Sequence, residues 1–371
     1  MDMLLNDAQL AHRILDHIDH ATTDLGQQTW REPVENYRSE ARLQRELHQI
    51  FWRMPTAFCP SASLPKPGAY LAREAAGTPI VAVRGIDGKV RAFRNACRHR
   101  GTAVASGVGT TASFVCRYHG WSYALDGTLR HVPHEHGFPG LDKTAHGLVP
   151  LQTIEHGGAV FVTQDPSHAA PSPALPTLLP PDLCLISTTE QVTHANWKIA
   201  AESFLEGYHI RSTHRETFYP VQYDNLNVIE FFGRNSRITF PYRNIEKLRP
   251  LAPHARRVSG TLTHVYHLFP NVMIATFPKR TIMVVLEPLG VASTNYVTYT
   301  LADTTTAQID QSGLARDADF VTEGAKEDRA VVESIQHGLA SGANEHFEFG
   351  HFESAIVHFH RHLNAQIGEG A

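Results

Sequence analysis

The chain has 371 residues, 42% of them hydrophobic, and 33 Lys and Arg against 37 Asp and Glu give a net charge of −4. That length exceeds a lone small metal module, and two domains are the natural expectation. No long basic run marks a nucleic-acid surface, no apolar run approaches membrane-spanning length, and the N-terminus lacks a charged-then-apolar leader. Neither nucleic acid nor membrane is therefore an expected partner, and a cytoplasmic location is expected.

Residues 1 to 45 are polar and helical in character, a segment expected to pack on a catalytic domain. From 46 to 165 the chain reads as short β-runs with turn signals. Ile80 to Phe93 predicts a hairpin turning at Asp87-Gly88, and Trp121 to Val132 a second turning at Asp126-Gly127. Between the hairpins lie Cys97-Arg98-His99 and, sixteen residues on, Cys116-Arg117-Tyr118-His119-Gly120-Trp121. Two mixed Cys/His pairs at loop tips let Cys97 and Cys116 bind one iron and His99 and His119 the other, the ligand set of a Rieske [2Fe–2S] centre. A structural zinc site is the competing reading, but zinc fingers pair Cys with Cys and His with His. The remaining cysteines, Cys59 and Cys184, read as small buried hydrophobes, and four cysteines with two committed to metal argue against a disulfide framework. His131, His134 and His136 read as surface-loop residues.

Six prolines within Pro166 to Pro181 predict an extended linker over 166–182. The second domain, 183–371, opens with a helix expected from Trp197 to His209. β-runs follow at 228–232, 236–240, 261–269, 272–277, 281–286 and 294–301, alternating as antiparallel strands do. Long helices are expected over 315–339 and 349–363. A strand run closed by a long helix suggests a sheet wrapped around that helix, with a cavity between them.

The first of these helices ends in Glu206-Gly207-Tyr208-His209-Ile210-Arg211-Ser212-Thr213-His214. Residues five apart on an ideal helix point about 140° apart, so for both histidines to bind one ion the helix must loosen after Gly207. Glu202, Glu206 and His209 are expected to share one face. Two histidines and a carboxylate with open positions make the facial triad of non-haem Fe(II) oxygenases. The third ligand is expected from Glu327-Asp328. Asp328 lines up with Val331, Val332, Ile335 and Leu339, an apolar and so inward stripe, whereas Glu327 falls on a mixed face nearer solvent. That choice makes Asp328 the expected ligand. His358, His360 and His362 alternate along a helix and are not expected to converge, while His264 and His267 are candidates to line the cavity.

Cys-x-His-x16-Cys-x2-His, Asn-Trp-Lys with Glu-Gly-Tyr-His-x4-His, and Glu-Asp-x7-Gln-x-Gly-Leu together resemble the large (α) subunit of Rieske non-haem iron oxygenases, the ring-hydroxylating and N-demethylating family. The resemblance runs from about 45 to 363. It implies an α+β fold: an all-β Rieske domain plus a helix-grip catalytic domain with an antiparallel sheet and a long C-terminal helix. It implies a [2Fe–2S] cluster on Cys97, His99, Cys116 and His119, and mononuclear Fe(II) on His209, His214 and Asp328. Glu206 stands where the family has an acid bridging the first iron histidine to a cluster histidine of the neighbouring subunit. The implied activity is that of a terminal oxygenase. NAD(P)H electrons arrive through a flavin- or ferredoxin-type reductase and are spent on O2 to hydroxylate or demethylate a small organic substrate. A head-to-tail homotrimer would bring one chain's cluster to the next chain's iron.

Glu rather than Asp at 206, the short chain, and Gly137-Phe-Pro-Gly140 resemble the branch acting on choline, carnitine and betaine-type quaternary amines. An aromatic acid is the other substrate class considered. Phe204, Phe218, Tyr219, Tyr223, Phe232, Tyr242, Phe269 and Phe277 are candidates for an aromatic cage. Arg234, Arg237 and Arg243 are candidates for a substrate carboxylate. The competing function is a non-catalytic Rieske electron carrier or a ligand-binding sensor.

Overall fold

The computed structural model describes residues 4–165, 167–168, 175–303 and 311–368. It forms two compact units, Leu47–Pro181 and a larger one made of Met1–Glu46 with Asp182–Ala371. Of the expected linker, residues 166 and 169–174 lie outside the described residues. Its later part is held to the smaller unit: the Leu178 and Leu179 amides donate to Gly157 O at 3.3 and 3.1 Å, and Leu179 is buried.

The smaller unit is all β apart from short single turns. A seven-stranded antiparallel sheet has the spatial order Thr56–Pro60, Ala159–Thr163, Pro150–His156, Val90–Arg94, Thr78–Arg84, Ala69–Ala75, Gly107–Thr110. The expected first hairpin turns where Gly88 takes φ +77°, a conformation glycine adopts without cost. A three-stranded sheet, Phe114–Val115, Ser122–Tyr123 and Leu129–His131, carries the second hairpin. Phe93, Cys97, Phe114, Cys116, Trp121, Tyr123 and Leu129 share one buried cluster, so the two thiols sit in the core between the sheets. His131, His134 and His136 are exposed, as expected.

The larger unit holds a second seven-stranded antiparallel sheet, in the order Leu183–Thr193, Ser293–Asp303, Thr281–Gly290, Val272–Thr276, Leu262–Leu268, Asn235–Pro241, Val228–Phe232. Its edge strand Leu183–Thr193 was not anticipated, because from Ser187 to Gln191 the positions on both faces are polar and the apolar alternation is lost. Helix α1 (Asp7–His20) starts with an Asn6/Gln9 capping box and buries Leu10, Ala11 and Ile14 against Leu226, Val228, Ile245 and Leu248. Helix α2 covers Glu40–Glu46, α3 Trp197–Glu202, α4 Ile210–Thr213, α5 Gln311–Gly338 and α6 Ser354–Ile367. Phe349, expected in the last helix, instead closes the strand His346–Phe349, which pairs with Trp30–Pro33.

The Asn196-Trp197-Lys198 run anchors α3. The Asn196 side chain caps α3 by accepting from the Lys198 amide at 3.0 Å and donates to Tyr37 O at 3.1 Å. Trp197 Nε1 donates to Glu46 Oε2 at 2.8 Å, and Lys198 Nζ lies 2.9 Å from Glu46 Oε1, both buried. Arg42 Nε adds a third donor to Glu46 at 2.9 Å. Burying such charges is tolerable only with partners this complete.

Candidate active site

In the smaller unit the two Cys/His loops are built alike. The Gly101 amide donates back to Cys97 O at 2.8 Å and the Gly120 amide to Cys116 O at 2.9 Å. Both glycines have positive φ, +79° and +73°, which lets each loop fold back on its cysteine. Cys97 and Cys116 are buried, while His99 and His119 bring their Nδ1 atoms to 3.0 Å from each other. Trp121 stacks on His99 with ring centroids 5.0 Å apart, and Tyr118 on His119 at 3.7 Å. Tyr123 Oη lies 3.2 Å from Cys97 Sγ and accepts from the Arg98 amide at 2.9 Å. Burial first, and then the neighbouring His119, hold the His99 pKa below its usual value.

In the larger unit, α3 stops at Glu202, earlier than expected. Tight turns continue the chain, with the Leu205 amide donating to Glu202 O at 2.9 Å. Glu202 and Glu206 consequently do not share a face. Glu202 Oε1 points into the interior, where it accepts from Tyr37 Oη at 2.7 Å and meets His360 Nε2 at 2.8 Å. Glu206 turns to His209 and accepts a hydrogen bond from its Nδ1. Gly207 matters for space rather than for φ: a Cβ there would come within 2.4 Å of Asn227 Oδ1.

These turns let two histidines five apart converge. His209, His214 and Asp328 each offer a ligand atom within 4.8 Å of the others, the one such group of three among the described residues. His214 Nε2 lies 2.9 Å and His209 Nε2 3.6 Å from Asp328 Oδ1. Each imidazole is held from behind by a carboxylate, Glu206 on His209 Nδ1 and Glu327 on His214 Nδ1, the latter at 2.8 Å. Thr217 Oγ1 donates to the same Glu327 oxygen at 2.6 Å. Glu327 is the more exposed of the two acids, as expected, with 30% of its side chain exposed against 22% for Asp328. That its carboxylate nonetheless reaches His214 was not expected. Part of the expected inward stripe fails too: Val332 and Leu339 are buried, but Val331 and Ile335 are exposed. Burial opposes charge on His209, yet Glu206 and Asp328 outweigh it and push its pKa up to about 10. Burial likewise opposes ionisation of Asp328, and His209 and His214 hold its pKa below the usual carboxylate value.

The three converging side chains open onto a cavity of about 720 Å³. The rings on its wall are Phe204, Phe218, Phe240, Phe277 and Tyr296. Of the aromatic-cage candidates, Phe204, Phe218 and Phe277 line it, whereas Tyr219, Tyr223, Phe232, Tyr242 and Phe269 do not. Phe240 and Tyr296 were missed. The arginine candidates are engaged elsewhere: Arg234 on Gln366, Arg237 on Glu230 and Arg243 on Tyr219 O. Arg280 lines the cavity instead. Neither His264 nor His267 reaches it; His264 Nδ1 meets Thr239 Oγ1 at 2.9 Å, and His267 Nε2 donates to Pro270 O at 3.0 Å. His358 and His362 do meet each other, at 4.4 Å between ring centroids, while His360 turns to Glu202. Cys59 is buried as expected, but Cys184 is only half-buried.

A model of the ring-hydroxylating α-subunit catalytic domain matches residues 182–369, and a Rieske [2Fe–2S] domain model matches 54–152. The chain belongs to the ring-hydroxylating Rieske oxygenases. It is 28% identical over 372 residues to the carnitine monooxygenase oxygenase subunit of Escherichia coli K12, covering 92% of this chain and 94% of that one. Its fold is similar to the crystal structure of the quaternary ammonium Rieske monooxygenase CntA, with a TM-score of 0.79, 25% identity and coverage of 94% and 97%. Naphthalene 1,2-dioxygenase shares the fold at a TM-score of 0.72 and 19% identity, with coverage of 91% and 92%.

Both cofactors of a Rieske oxygenase suit the donors present. Two thiols and two imidazoles match a two-iron cluster, and these four are not among the groups converging within 4.8 Å as the ligands of one ion do. This argues against the zinc reading. At the second site, carboxylates can only accept, so the Nδ1 atoms of both histidines donate to Glu206 and Glu327. Each Nε2 is left facing Asp328, where a divalent ion would replace a proton. No helix among the described residues is long and apolar enough to cross a membrane.

Proposed function

We propose that this Rieske oxygenase oxidises a small quaternary ammonium compound, with His209, His214 and Asp328 holding the mononuclear iron and Cys97, His99, Cys116 and His119 the [2Fe–2S] cluster. One observation carries the reading: the triad lies on the wall of the same cavity as five aromatic rings. A face of aromatic rings attracts a methylated cation, and the E. coli carnitine enzyme and CntA are similar along nearly the whole chain.

When bound, the two iron groups supply single electrons and dioxygen activation. The chain's own residues do the rest. Glu206 and Glu327 hold the Nδ1 protons and so orient both imidazoles. The apolar wall excludes water, and the rings position the methyl-bearing nitrogen. Glu206 also stands where the acid bridging to a neighbouring chain is expected, in keeping with a head-to-tail homotrimer and a separate reductase fed by NAD(P)H.

The test is iron content and oxygen-dependent turnover. About three irons per chain are expected. His209→Ala keeps the Rieske absorption and loses turnover. Glu206→Gln keeps both metals and slows substrate-dependent oxidation of the pre-reduced protein. Oxidation by aromatic acids but not by quaternary amines would overturn the substrate assignment.

A further inference from the structure

Three carboxylates of the larger unit gather where α3 ends and α6 begins: Glu202, Glu206 and Glu353. Glu202 Oε1 is turned to Tyr37 Oη at 2.7 Å and His360 Nε2 at 2.8 Å. Glu206 accepts three hydrogen bonds, from His209 Nδ1, the Tyr208 amide and, at 3.2 Å, the His209 amide. Glu353 ends the turn His351–Glu353 that leads into α6, and it accepts one, from the Gly350 amide at 2.6 Å. It is neither one of the three converging ligands nor on the cavity wall.

Its turn is fixed against the residues just before His209, because Phe352 stacks on Tyr208 with ring centroids 5.4 Å apart. The N-terminal segment meets the same turn at His351. The Gly26 amide donates to His351 O at 2.7 Å, and His351 Nδ1 donates to Gly26 O at 2.6 Å. The charged groups facing the Glu353 carboxylate are Glu202 from α3, with Glu206 and His209 from the turns after it. Among the described residues no Lys or Arg forms an ion pair with it.

Adjacent like charges oppose full ionisation of such a group, and each donor favours the ionised acid. Glu353 has the fewest donors of the three, so a proton entering the group rests there. Burial first, with Glu206 and Glu202 adding to it, outweighs the Gly350 amide and His209 and pushes the Glu353 pKa up to about 7.

We propose that Glu353 is a positioning residue for the mononuclear site, acting through Glu206 on the strength with which His209 holds iron. Protonated, it leaves Glu206 as the anion behind His209. Ionised, with its proton released to solvent, it places a second negative charge there. Negative charge behind a ligating imidazole raises its basicity and tightens its bond to a divalent ion. The proposal rests on the assignment of His209 to the iron and adds a residue that no ligand pattern includes.

The experiment is chelator competition for the mononuclear iron of the holoenzyme, in wild type, Glu353→Gln and Glu353→Asp, across about pH 6 to 8.5, a range that brackets the Glu353 pKa of about 7. No substrate or reductant is needed. The wild-type iron affinity divided by that of Glu353→Gln is expected to grow about 3- to 10-fold between the two ends of the range, the order expected of one added charge near the partly exposed surface. Glu353→Asp, which still titrates, is expected to follow wild type. A ratio that stays constant with pH overturns the proposal, whether the two proteins bind equally or the variant is weaker throughout, since a merely structural role lowers affinity alike at every pH. Wild type that holds only the two cluster irons overturns the metal assignment and this proposal with it. Unchanged Rieske absorption and melting temperature verify that the variants are folded.

Discussion

His214 Nδ1 donates to Glu327 Oε2 at 2.8 Å, while its Nε2 faces the neighbouring carboxylate, Asp328, at 2.9 Å. Two successive acids on one helix thus hold the two nitrogens of one imidazole, one from behind and one from the metal side. Helical neighbours diverge by about 100°, so the pair can straddle a buried ring but cannot share one side of it. Glu327→Gln keeps the shape and replaces a charged acceptor with a neutral one. Iron affinity is expected to fall about 10- to 100-fold at the mononuclear site, measured by competition with a chelator, with the Rieske spectrum intact. Asp328→Asn should empty the site altogether. Equal iron retention by Glu327→Gln and wild type would show that the contact does not support the metal.

The same helix marks the limit of what the sequence discloses. The spacing of His209 and His214 and the inward position of Asp328 were legible because metal chemistry demands particular side chains. Most strands were legible from alternation, and both Rieske hairpins from their Asp-Gly turns. Glu327 was not, because a helical wheel has one apolar face and cannot represent a ring inserted beside it. The early stop of α3 was hidden because Ser203 to Gly207 lacks a strong breaker until its last residue. Arg280 was hidden because a lone arginine in a hairpin turn has no periodicity, and only strand register gives it a place in the cavity.

Tyr123 Oη lies 3.2 Å from Cys97 Sγ. A phenol donating to a cysteine thiolate withdraws negative charge from it and favours the reduced cluster. Tyr123→Phe is therefore expected to lower the Rieske reduction potential by about 20–60 mV, the equivalent of one ordinary hydrogen bond for a one-electron couple. Spectroelectrochemical titration reads this directly, and an unchanged potential would refute it.

His267 is fully buried against Phe359 and Phe269, and burial first, opposed by its bond to Pro270 O, brings its pKa down to about 4. Its folded pKa lies below the unfolded value of about 6.5, so the unfolded chain binds more protons between these two values. Stability from this site is complete above about pH 6.5 and is lost as pH falls towards 4. The loss amounts to roughly 3 kcal/mol from this group alone. His267→Gln keeps a donor for Pro270 O and cannot titrate. Its denaturation midpoint should fall less steeply than that of wild type between pH 6.5 and 4. Parallel curves would assign the acid sensitivity to His264 and His358, whose pKa values burial also lowers, to about 3 and about 4.

Gly324 lies one turn before Asp328 on α5, and a Cβ there would stand 2.3 Å from the Phe218 ring. Phe218 packs on His214 at 4.5 Å between ring centroids and lines the cavity. Glycine within a helix costs about 1 kcal/mol relative to alanine, so on an open helix Gly324→Ala would stabilise. Here the methyl must displace a ring that is wedged between the helix and His214 of the converging triad. Overpacking of this kind costs about 1–3 kcal/mol and outweighs the helical gain. Gly324→Ala is expected to lower the melting temperature and reduce turnover together. Gly324→Ala combined with Phe218→Leu, which removes part of the ring, should recover the stability while leaving the cavity changed. Rescue of the melting temperature by the second substitution identifies the clash as the cause, and a stabilised single variant would refute it.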